Sequence, residues 1–382
     1  MESRNCQHSL MARDPDVTVM HLVEASGGGE VMYGKERVIH WLMRAQRDAG
    51  DVEARLAVLA PCSLAATARD EGFRVDVLSD EEHTVPVRAL RMLRSALDAA
   101  NAPILHTHGY KANIVGRFAR SSGLKVAALV GTCHGFVTTD AKLRFYNMLD
   151  RMTGGMSDLV TAPDPGMLRA FGRGVRTRFV PNAIADGPAT DAGARAAART
   201  SLGWKSDEFV AGMLGRLSAE KGVDNFANAA RLDGAASIRW AVAGSGPLET
   251  QLRATAPVNL TCLGFLAQSE SYLDSLDVYV QPSFTEGLSL SLLEAMRAAL
   301  PIVATHVGAT SEAVRDGLDA LLVAPEPEAI FDAVRRLRED HALRARLGQS
   351  ARERFLERFR MSVVERQYAT VYREAAGSRR QA

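Results

Sequence analysis

The segment Gln281-Pro-Ser-Phe-Thr-Glu-Gly-Leu-Ser-Leu-Ser-Leu-Leu-Glu-Ala-Met-Arg297 joins an apolar run to a second stretch with a different period. Residues 278–280, directly before it, are typical of a buried strand. Beyond the small residues of a turn, Leu290, Leu293 and Met296 recur at helical spacing. The segment therefore predicts a strand, a tight turn and a helix, which is the repeating unit of parallel α/β sheets.

Two carboxylates flank this predicted turn, Glu286 before the helix and Glu294 within it. Between them lie the first N–H groups of the helix, which together with the helix dipole can hold a phosphate. The same letters also fit a capping box, in which Glu294 turns back to the amide of Ser291. Both interpretations are open from this segment alone.

The length and composition indicate a globular protein with two domains. The chain has 382 residues, 47% of them hydrophobic and 24% charged, and a net charge of +1 that argues against extensive nucleic-acid binding. Its cysteines are scattered without a C-x-x-C pair, which favours neither a zinc site nor a disulfide framework: Cys6, Cys62, Cys133 and Cys262. With no apolar run of about 18 residues and no signal-like N-terminus, we expect a cytoplasmic protein.

Short β-branched runs alternate with amphipathic stretches along both halves of the chain, which predicts two doubly wound, Rossmann-like parallel sheets. Predicted strands of the first half lie at 17–23, 54–59, 75–78, 104–106, 126–130, 159–161 and 178–180, with helices at 35–47, 86–99, 110–120 and 141–152. Predicted strands of the second half lie at 210–214, 238–243, 260–263, 278–280, 302–304 and 321–323. Ligands of such sheets gather where strands end.

Several strand ends in the first half carry candidate binding residues. A glycine cluster that includes Gly28 and Gly29 follows the first strand, but it is not the G-x-G-x-x-G of a nicotinamide-binding fold. His106 and His108 would share a face of one strand, and a pair without a third ligand makes a poor metal site. His134 follows another strand and is the histidine that we single out as a site residue.

The turns of the second half suit a nucleotide diphosphate. Arg216 and Lys221 follow the 210–214 strand, five positions apart, where two cations can meet a diphosphate from two directions. Gly244 and Gly246 follow the next strand in a turn too small to obstruct a ribose or a planar ring. The opening segment and the Thr305-His-Val-Gly308 turn lie at the same edge. Four compatible turns at one edge of a sheet are harder to explain as architecture alone than any single one.

The ordered set of these motifs resembles the retaining glycosyltransferases of family 4, which have the two-domain GT-B fold. It runs from Gly215-Arg216 through Glu220-Lys221-Gly222 and the Glu286-x7-Glu294 pair to the Asp316-Gly317 turn. The first half resembles the family's acceptor domain more loosely. On this basis we expect an N-terminal domain at 15–185, a linker at 186–207, a nucleotide-sugar domain at 208–355 and a C-terminal helix at 356–382 that crosses back to the first domain.

The resemblance implies a role for each matching position. Arg216 and Lys221 would neutralise the donor diphosphate, Glu294 would hold the ribose hydroxyls, Glu286 would hold the donor sugar, and His134 would lie near that sugar. The donor-binding set as a whole is Gly28, Gly29, Asn182, Gly215, Arg216, Lys221, Gly244, Gly246, Gly287, Leu288, Ser289, Leu290 and Glu294. The catalytic set is Glu286, His134, Arg216 and Lys221.

Two positions depart from the family pattern. Asn182 is followed by Ala183 where the family commonly has glycine. Leu288 and Ser289 follow Glu286-Gly287 where the family commonly has Phe-Gly, which alters the wall against the sugar hydroxyls.

The implied activity is metal-independent, retaining transfer from a nucleoside diphosphate sugar to a glycan or lipid-linked acceptor, and we expect the donor to be a UDP-sugar. No metal or other cofactor is expected, since the Asp14-Pro-Asp16 triplet precedes the first strand. Alternatives are glycosylation of a small-molecule natural product, a non-catalytic GT-B scaffold, and an epimerase or oxidoreductase. The face of Arg88, Arg91 and Arg94 suggests peripheral contact with the inner membrane face.

Overall fold

The structure, a computed structural model, describes residues 17–24, 32–79, 87–101, 103–135 and 141–377. The chain folds into two compact units. Unit 1 comprises Met1–Val160, Gly172–Thr177 and Ala369–Ala382, and unit 2 comprises Thr161–Phe171 and Arg178–Tyr368. Each unit is described by itself below.

The first sheet has seven strands in the order β3-β2-β1-β4-β5-β6-β7. Its strands are β1 Val17–Val23, β2 Val52–Val58, β3 Arg74–Val77, β4 Ile104–His108, β5 Ala128–Thr132, β6 Leu159–Ala162 and β7 Thr177–Phe179. The helices along this part of the chain are α1 Gly34–Ala49, α2 Ser63–Asp70, α3 Val87–Ala99, α4 Tyr110–Ser121, α5 Ala141–Met152 and α6 Pro165–Leu168. β1 pairs in parallel with both β2 and β4, so the chain reverses its direction of winding beside β1.

The second sheet has six strands in the order β10-β9-β8-β11-β12-β13. Its strands are β8 Val210–Leu214, β9 Arg239–Ala243, β10 Leu260–Gly264, β11 Val278–Gln281, β12 Ile302–Thr305 and β13 Leu321–Val323. Helices of this half are α7 Ala192–Leu202, α8 Val223–Leu232, α9 Glu249–Thr255, α10 Glu270–Asp274, α11 Leu290–Arg297, α12 Thr310–Ala313, α13 Pro327–Glu339, α14 His341–Arg358 and α15 Met361–Gly377. β8 pairs in parallel with β9 and β11, which places the change of winding direction between β8 and β11.

The prediction of two doubly wound parallel sheets is confirmed, and most predicted strands agree with the observed ones to within two residues. Each sheet is buried under helices, and in unit 2 the Trp240 ring meets Phe226 edge-on with ring centroids 5.2 Å apart. A strand that is buried on both faces consists of consecutive apolar residues, which explains why these strands could be predicted from the sequence.

The segment expected to be a linker contains α7. Its alanine-rich sequence favours a helix, and Asp191 caps the first turn by accepting a hydrogen bond from the Ala194 amide at 2.7 Å. Arg199, on the same helix, pairs with Asp277 at 2.6 Å, just before β11. This stretch is therefore attached to the sheet of unit 2.

Candidate functional site

The loops after β8 and β11 meet at the point where the second sheet reverses its winding. Nζ of Lys221 lies 2.7 Å from both carboxylate oxygens of Glu286. Ser283 donates a further hydrogen bond to Glu286 at 2.9 Å, and the amide of Phe284 donates to the carbonyl of Glu220 at 2.9 Å. The structure thus joins two residues that are 65 positions apart in the sequence, at the place where doubly wound sheets bind ligands.

Glycines allow these loops to approach each other. Gly222 has φ +68, and a Cβ on it would lie 1.9 Å from the carbonyl oxygen of Pro282. A Cβ on Gly308 would lie 1.8 Å from the carbonyl oxygen of Glu286, which accepts a hydrogen bond from the Ala309 amide at 3.1 Å. The backbone on either side of the Glu286 carboxylate is therefore fixed by close main-chain contacts.

The loops after β8 and β9 meet in the same way. The Gly215 amide donates to the carbonyl of Ala243 at 3.0 Å, and a Cβ on Gly244 would lie 1.8 Å from the carbonyl oxygen of Gly215. A Cβ on Gly246 would lie 2.4 Å from the carbonyl oxygen of Leu217. Gly244 and Gly246, which were predicted to leave space for a nucleotide, are thus also required by the contact between the two loops.

Arg216 differs from Lys221 in its surroundings. Its side chain is exposed and, within the described part of the chain, makes no ion pair or hydrogen bond. The structure therefore brings Lys221 to Glu286 and leaves the Arg216 guanidinium available in solvent.

The helix after Glu286 begins at Leu290, with Ser289 as its N-cap. The Ser289 hydroxyl accepts a hydrogen bond from the Leu292 amide at 3.4 Å, so the capping box between Ser291 and Glu294 is wrong. Ser291 lies inside the first turn and accepts a hydrogen bond from the Tyr279 hydroxyl at 3.0 Å. The cap thus comes two residues earlier than the local pattern suggested.

A residue that is distant in the sequence of unit 2 stabilises the turn before this helix. Nδ2 of Asn182 donates to the carbonyl of Leu288 at 2.9 Å, although the two residues are 106 positions apart. Leu288 is buried and Gly287 is half-buried beside Met167. Asn182 therefore positions the turn of unit 2 to which the sequence had assigned the donor sugar.

Glu294 lies one turn inside α11, with only 2% of its surface exposed. One carboxylate oxygen accepts a hydrogen bond from Ser269 at 3.2 Å. The two glutamates of the opening segment thus have different surroundings, since Glu286 pairs with a cation and Glu294 with a hydroxyl. The proposed ribose role of Glu294 stays a prediction.

In unit 1, Glu24 follows β1 and anchors two lysines. Lys35 donates to the Glu24 carbonyl at 2.9 Å, and Lys111 pairs with its carboxylate at 2.7 Å. Burial lowers the pKa of Lys35, a shift that the nearby Glu24 opposes. Gly28 and Gly29 lie outside the described residues. The sequence prediction missed Glu24 and Lys111, although their positions directly after β1 and at the start of α4 were available signals.

Unit 1 contains a group that we call the histidine network, whose members are buried apart from the half-buried His134. It consists of His21, Gln46, His106, His108, Thr132, His134 and Tyr372. Burial lowers the pKa of His21 to about 4, and burial together with Lys35 lowers that of His134 to about 3. His106 and His108 are fully buried, and burial holds the pKa of each well below its ordinary value.

The expectation that His106 and His108 have no third potential metal ligand nearby is wrong. His21 pairs with His106 across β1 and β4, and ring nitrogens of the three histidines lie within 4.8 Å of one another. Every ring nitrogen of these three already has a hydrogen-bond partner in the network. The arrangement is therefore complete as a hydrogen-bonded chain.

Two family models match the chain, one in each half. "Glycosyl transferases group 1" matches residues 208–340, and "Glycosyl transferase 4-like domain" matches residues 34–183. The chain belongs to the group 1 glycosyltransferases. As predicted, it is of the family 4 type, and the first match contains Lys221, Glu286 and Glu294 while the second contains His134.

Individual relatives agree with this group 1 glycosyltransferase assignment. EpsD of Bacillus subtilis is 26% identical, over 77% of this chain and 84% of the relative. A UDP-Gal:alpha-D-GlcNAc-diphosphoundecaprenol alpha-1,3-galactosyltransferase of Escherichia coli is 24% identical, over 73% of this chain and 77% of the relative. Among solved structures, Anabaena Alr3699/HepE in complex with UDP superposes with a TM-score of 0.78 at 19% identity, covering 93% of this chain and 99% of that one. This likeness confirms the GT-B fold.

Proposed function

We propose that this glycosyltransferase moves a sugar from a UDP-sugar to a glycan or lipid-linked acceptor, with retention of configuration and without a metal ion. The contact between Lys221 and Glu286 carries the proposal, because it places a cation and a carboxylate together at the edge of the sheet where a ligand binds. The preference for UDP is supported by the UDP bound to the Anabaena protein and by the donor named for the Escherichia coli enzyme.

The charges of unit 2 suit a departing diphosphate. Lys221 and the exposed Arg216 supply two cations, and Leu290 opens a helix whose first N–H groups are near Glu286 in the chain. A diphosphate that binds Lys221 competes with Glu286 for the ammonium group. Donor binding would therefore release the Glu286 carboxylate to bind the sugar hydroxyls, so that binding of the diphosphate and orientation of the sugar are coupled.

Retention follows in this proposal from the partners of the two glutamates. Glu294 is buried against Ser269, and the released Glu286 is assigned to the sugar hydroxyls, so we assign neither as a covalent nucleophile. The acceptor hydroxyl instead attacks from the side of the leaving group, and an oxygen of the departing diphosphate takes its proton. Cations that stabilise this diphosphate supply the electrostatic part of catalysis without a metal.

Binding of UDP tests the proposal directly. Lys221→Ala and Arg216→Ala are each expected to weaken UDP binding about tenfold or more, because each removes a charge-assisted hydrogen bond worth about 1.5–3 kcal/mol. Calorimetry with UDP, GDP and ADP measures this, in buffer with and without a chelator. Lys205→Ala removes an exposed lysine of the same unit and serves as the matched control.

Turnover of the donor separates the alternatives. A transferase should release UDP slowly from a UDP-sugar in water and faster with an acceptor, and a panel of glycan, lipid-linked and small-molecule acceptors then identifies the class. UDP binding without any turnover would favour the non-catalytic scaffold. Equal UDP affinity in Lys221→Ala and in the lysine control would contradict the proposed diphosphate site.

We also propose that unit 1 contacts an anionic bilayer, where a lipid-linked acceptor would be found. The amphipathic helix α3 carries exposed Arg91 and Arg94, as the sequence suggested, while the Arg88 side chain is outside the described residues. Helix α5 adds an apolar ridge that the sequence did not reveal. Phe145, Met148 and Met152 lie on one face of it and are 55%, 43% and 74% exposed.

The flanks of this α5 ridge are positively charged. Lys142, Arg144 and Arg151 are exposed on the same helix, whereas its acidic residue, Asp150, is buried in an ion pair with Arg117. Exposed apolar side chains bordered by cations are typical of surfaces that enter a lipid head-group region. No helix in the described ranges is long and apolar enough to cross a bilayer.

Vesicle sedimentation tests this surface. The wild type is expected to sediment with vesicles that contain anionic lipid and to stay in solution with neutral ones. The triple variant Phe145→Ser, Met148→Ser, Met152→Ser should lose most of this binding, because several apolar side chains, each worth up to about 1.5–3 kcal/mol on burial, are removed. Val258→Ser, which removes a 99% exposed apolar residue of unit 2, is the control. Unchanged sedimentation of the triple variant would contradict the ridge, and loss on Arg91→Gln, Arg94→Gln alone would place the contact on α3.

A further inference from the structure

The orientation of the Gln46 side-chain amide determines which atoms donate and which accept hydrogen bonds in the histidine network. The Oε1 atom of a glutamine can only accept a hydrogen bond, and its Nε2 atom can only donate. Oε1 of Gln46 lies 2.8 Å from Nε2 of His21, and Nε2 of Gln46 lies 3.1 Å from the Tyr372 hydroxyl. Nε2 of His21 therefore carries the proton, and Gln46 donates towards Tyr372.

This direction passes along the histidines, because a neutral imidazole has one donor nitrogen and one acceptor nitrogen. With its proton on Nε2, His21 accepts at Nδ1 from Nε2 of His108, at 2.9 Å. His108 then accepts at Nδ1 from Nε2 of His134, at 3.2 Å. Three successive rings are thus fixed in the same tautomer by one amide.

The chain ends at Nδ1 of His134. Its ring is half-buried, and no hydrogen bond joins Nδ1 to any residue in the described part of the chain. In the tautomer derived above this nitrogen carries a lone pair and no proton. His134 can therefore accept a hydrogen bond from a ligand but cannot donate one.

We propose that Gln46, His21 and His108 are positioning residues that keep His134 neutral, with its proton on Nε2 and the Nδ1 lone pair available to a hydroxyl of the substrate. The substrate part rests on the proposed function, whereas the tautomer does not. A site that only accepts here selects a group that donates, so a substrate with a hydroxyl at this position is bound and one with an ether, fluorine or hydrogen there is rejected.

The surroundings keep the network uncharged. The hydrogen bonds that define the network join neutral groups, namely imidazoles, an amide, a hydroxyl and a phenol. Lys35 is the cation whose field reaches both His108 and His134, and it disfavours a second positive charge on either ring. Geometry and electrostatics therefore both favour a neutral His134.

Nuclear magnetic resonance of the full chain labelled with ¹⁵N-histidine tests the tautomer. We expect protons on Nε2 of His21, His108 and His134, with nitrogen–nitrogen couplings across the hydrogen bonds from His134 to His108 and from His108 to His21. Spectra of His134→Asn and His108→Phe assign the signals. Protons on Nδ1 of His108 and His134 would overturn the proposal. They require the Gln46 side-chain amide to be flipped by about 180°, so that it donates to His21.

Gln46→Glu is the matched variant. A carboxylate only accepts, so it requires the proton of His21 to stay on Nε2, and the pattern of the three rings should be the same as in the wild type. A change of the His134 tautomer in this variant would show that the wild-type direction is the reverse and would overturn the proposal.

Activity provides a separate readout. His108→Phe removes the acceptor of the His134 proton and is expected to lower kcat/KM for transfer roughly tenfold, the loss of about one hydrogen bond. UDP affinity, measured independently, should stay within about twofold, since UDP is proposed to bind the cations of unit 2. If the proposed function is wrong, the wild type will show no sugar transfer but its nitrogen spectra will still be as predicted. If the tautomer is wrong, the spectra will differ from the prediction, so the two outcomes can be distinguished.

Discussion

Gly222→Ala is expected to abolish sugar transfer and to lower the free energy of unfolding by about 2–4 kcal/mol, the range of left-handed strain plus overpacking. The added Cβ would lie 1.9 Å from the carbonyl oxygen of Pro282, so the loops after β8 and β11 must separate. Lys221 precedes Gly222 directly, and its 2.7 Å contact with Glu286 would then be lost. The variant therefore affects both the stability of unit 2 and the proposed diphosphate site.

Gly203→Ala is the control for this prediction. Gly203 also has φ +68, but a Cβ there meets nothing within 4 Å. Both variants therefore carry the same left-handed strain, about 1 kcal/mol, and only Gly222→Ala adds the collision. Chemical unfolding and UDP calorimetry measure the difference. Equal stability and equal UDP affinity in the two variants would show that the loops can separate without consequence for the site.

Acidification is expected to unfold the protein between about pH 6.5 and pH 4, because the histidine network is buried in the neutral form. An unfolded histidine has a pKa near 6.5, whereas burial lowers the folded pKa of His21 to about 4 and that of His134 to about 3. Below pH 6.5 the unfolded chain therefore binds protons that the folded chain does not, and stability falls as the pH falls. Two such histidines would remove roughly 5 kcal/mol over two pH units.

Unfolding by denaturant at a series of pH values measures this effect. The slope of stability against pH should correspond to two or more protons in this window, and His106→Asn should reduce it by about one proton. Replacing the exposed His341 with glutamine should leave the slope as it is in the wild type. A free energy of unfolding that is constant from pH 6.5 to pH 4.5 would show that the network takes up protons without opening.

Much of unit 2 could be predicted because its signals are local. The apolar runs revealed the strands, and the glycine turns after them lie where the sequence placed them. The sequence predicted that Lys221 and Glu286 lie at one edge of the sheet, because each follows a strand end there, but it did not predict the ion pair between them. Arg216 shows the limit of this reasoning, since spacing alone could not tell that its side chain lacks the contact that Lys221 makes.

The histidine network could not be predicted because its members meet only through tertiary structure. His21 lies beside His106 through the register of β1 and β4. Gln46 comes from α1, and Tyr372 comes from α15, 326 positions later. The capping box failed for a related reason. The Ser291 motif was a valid local pattern, but Ser289 was available two residues earlier as a cap.

The glycines that join neighbouring loops also restrict how this site can change by mutation. At Gly222, Gly244, Gly246 and Gly308 the atom in the way of a side chain is a main-chain oxygen, on Pro282, Gly215, Leu217 and Glu286 respectively. A main-chain oxygen is present whatever residue occupies the partner position, so no second substitution there can create room. Substitutions that alter the donor preference of this enzyme must therefore lie at other positions. A mutant library would contain no second substitution at the partner position that compensates for replacing one of these four glycines.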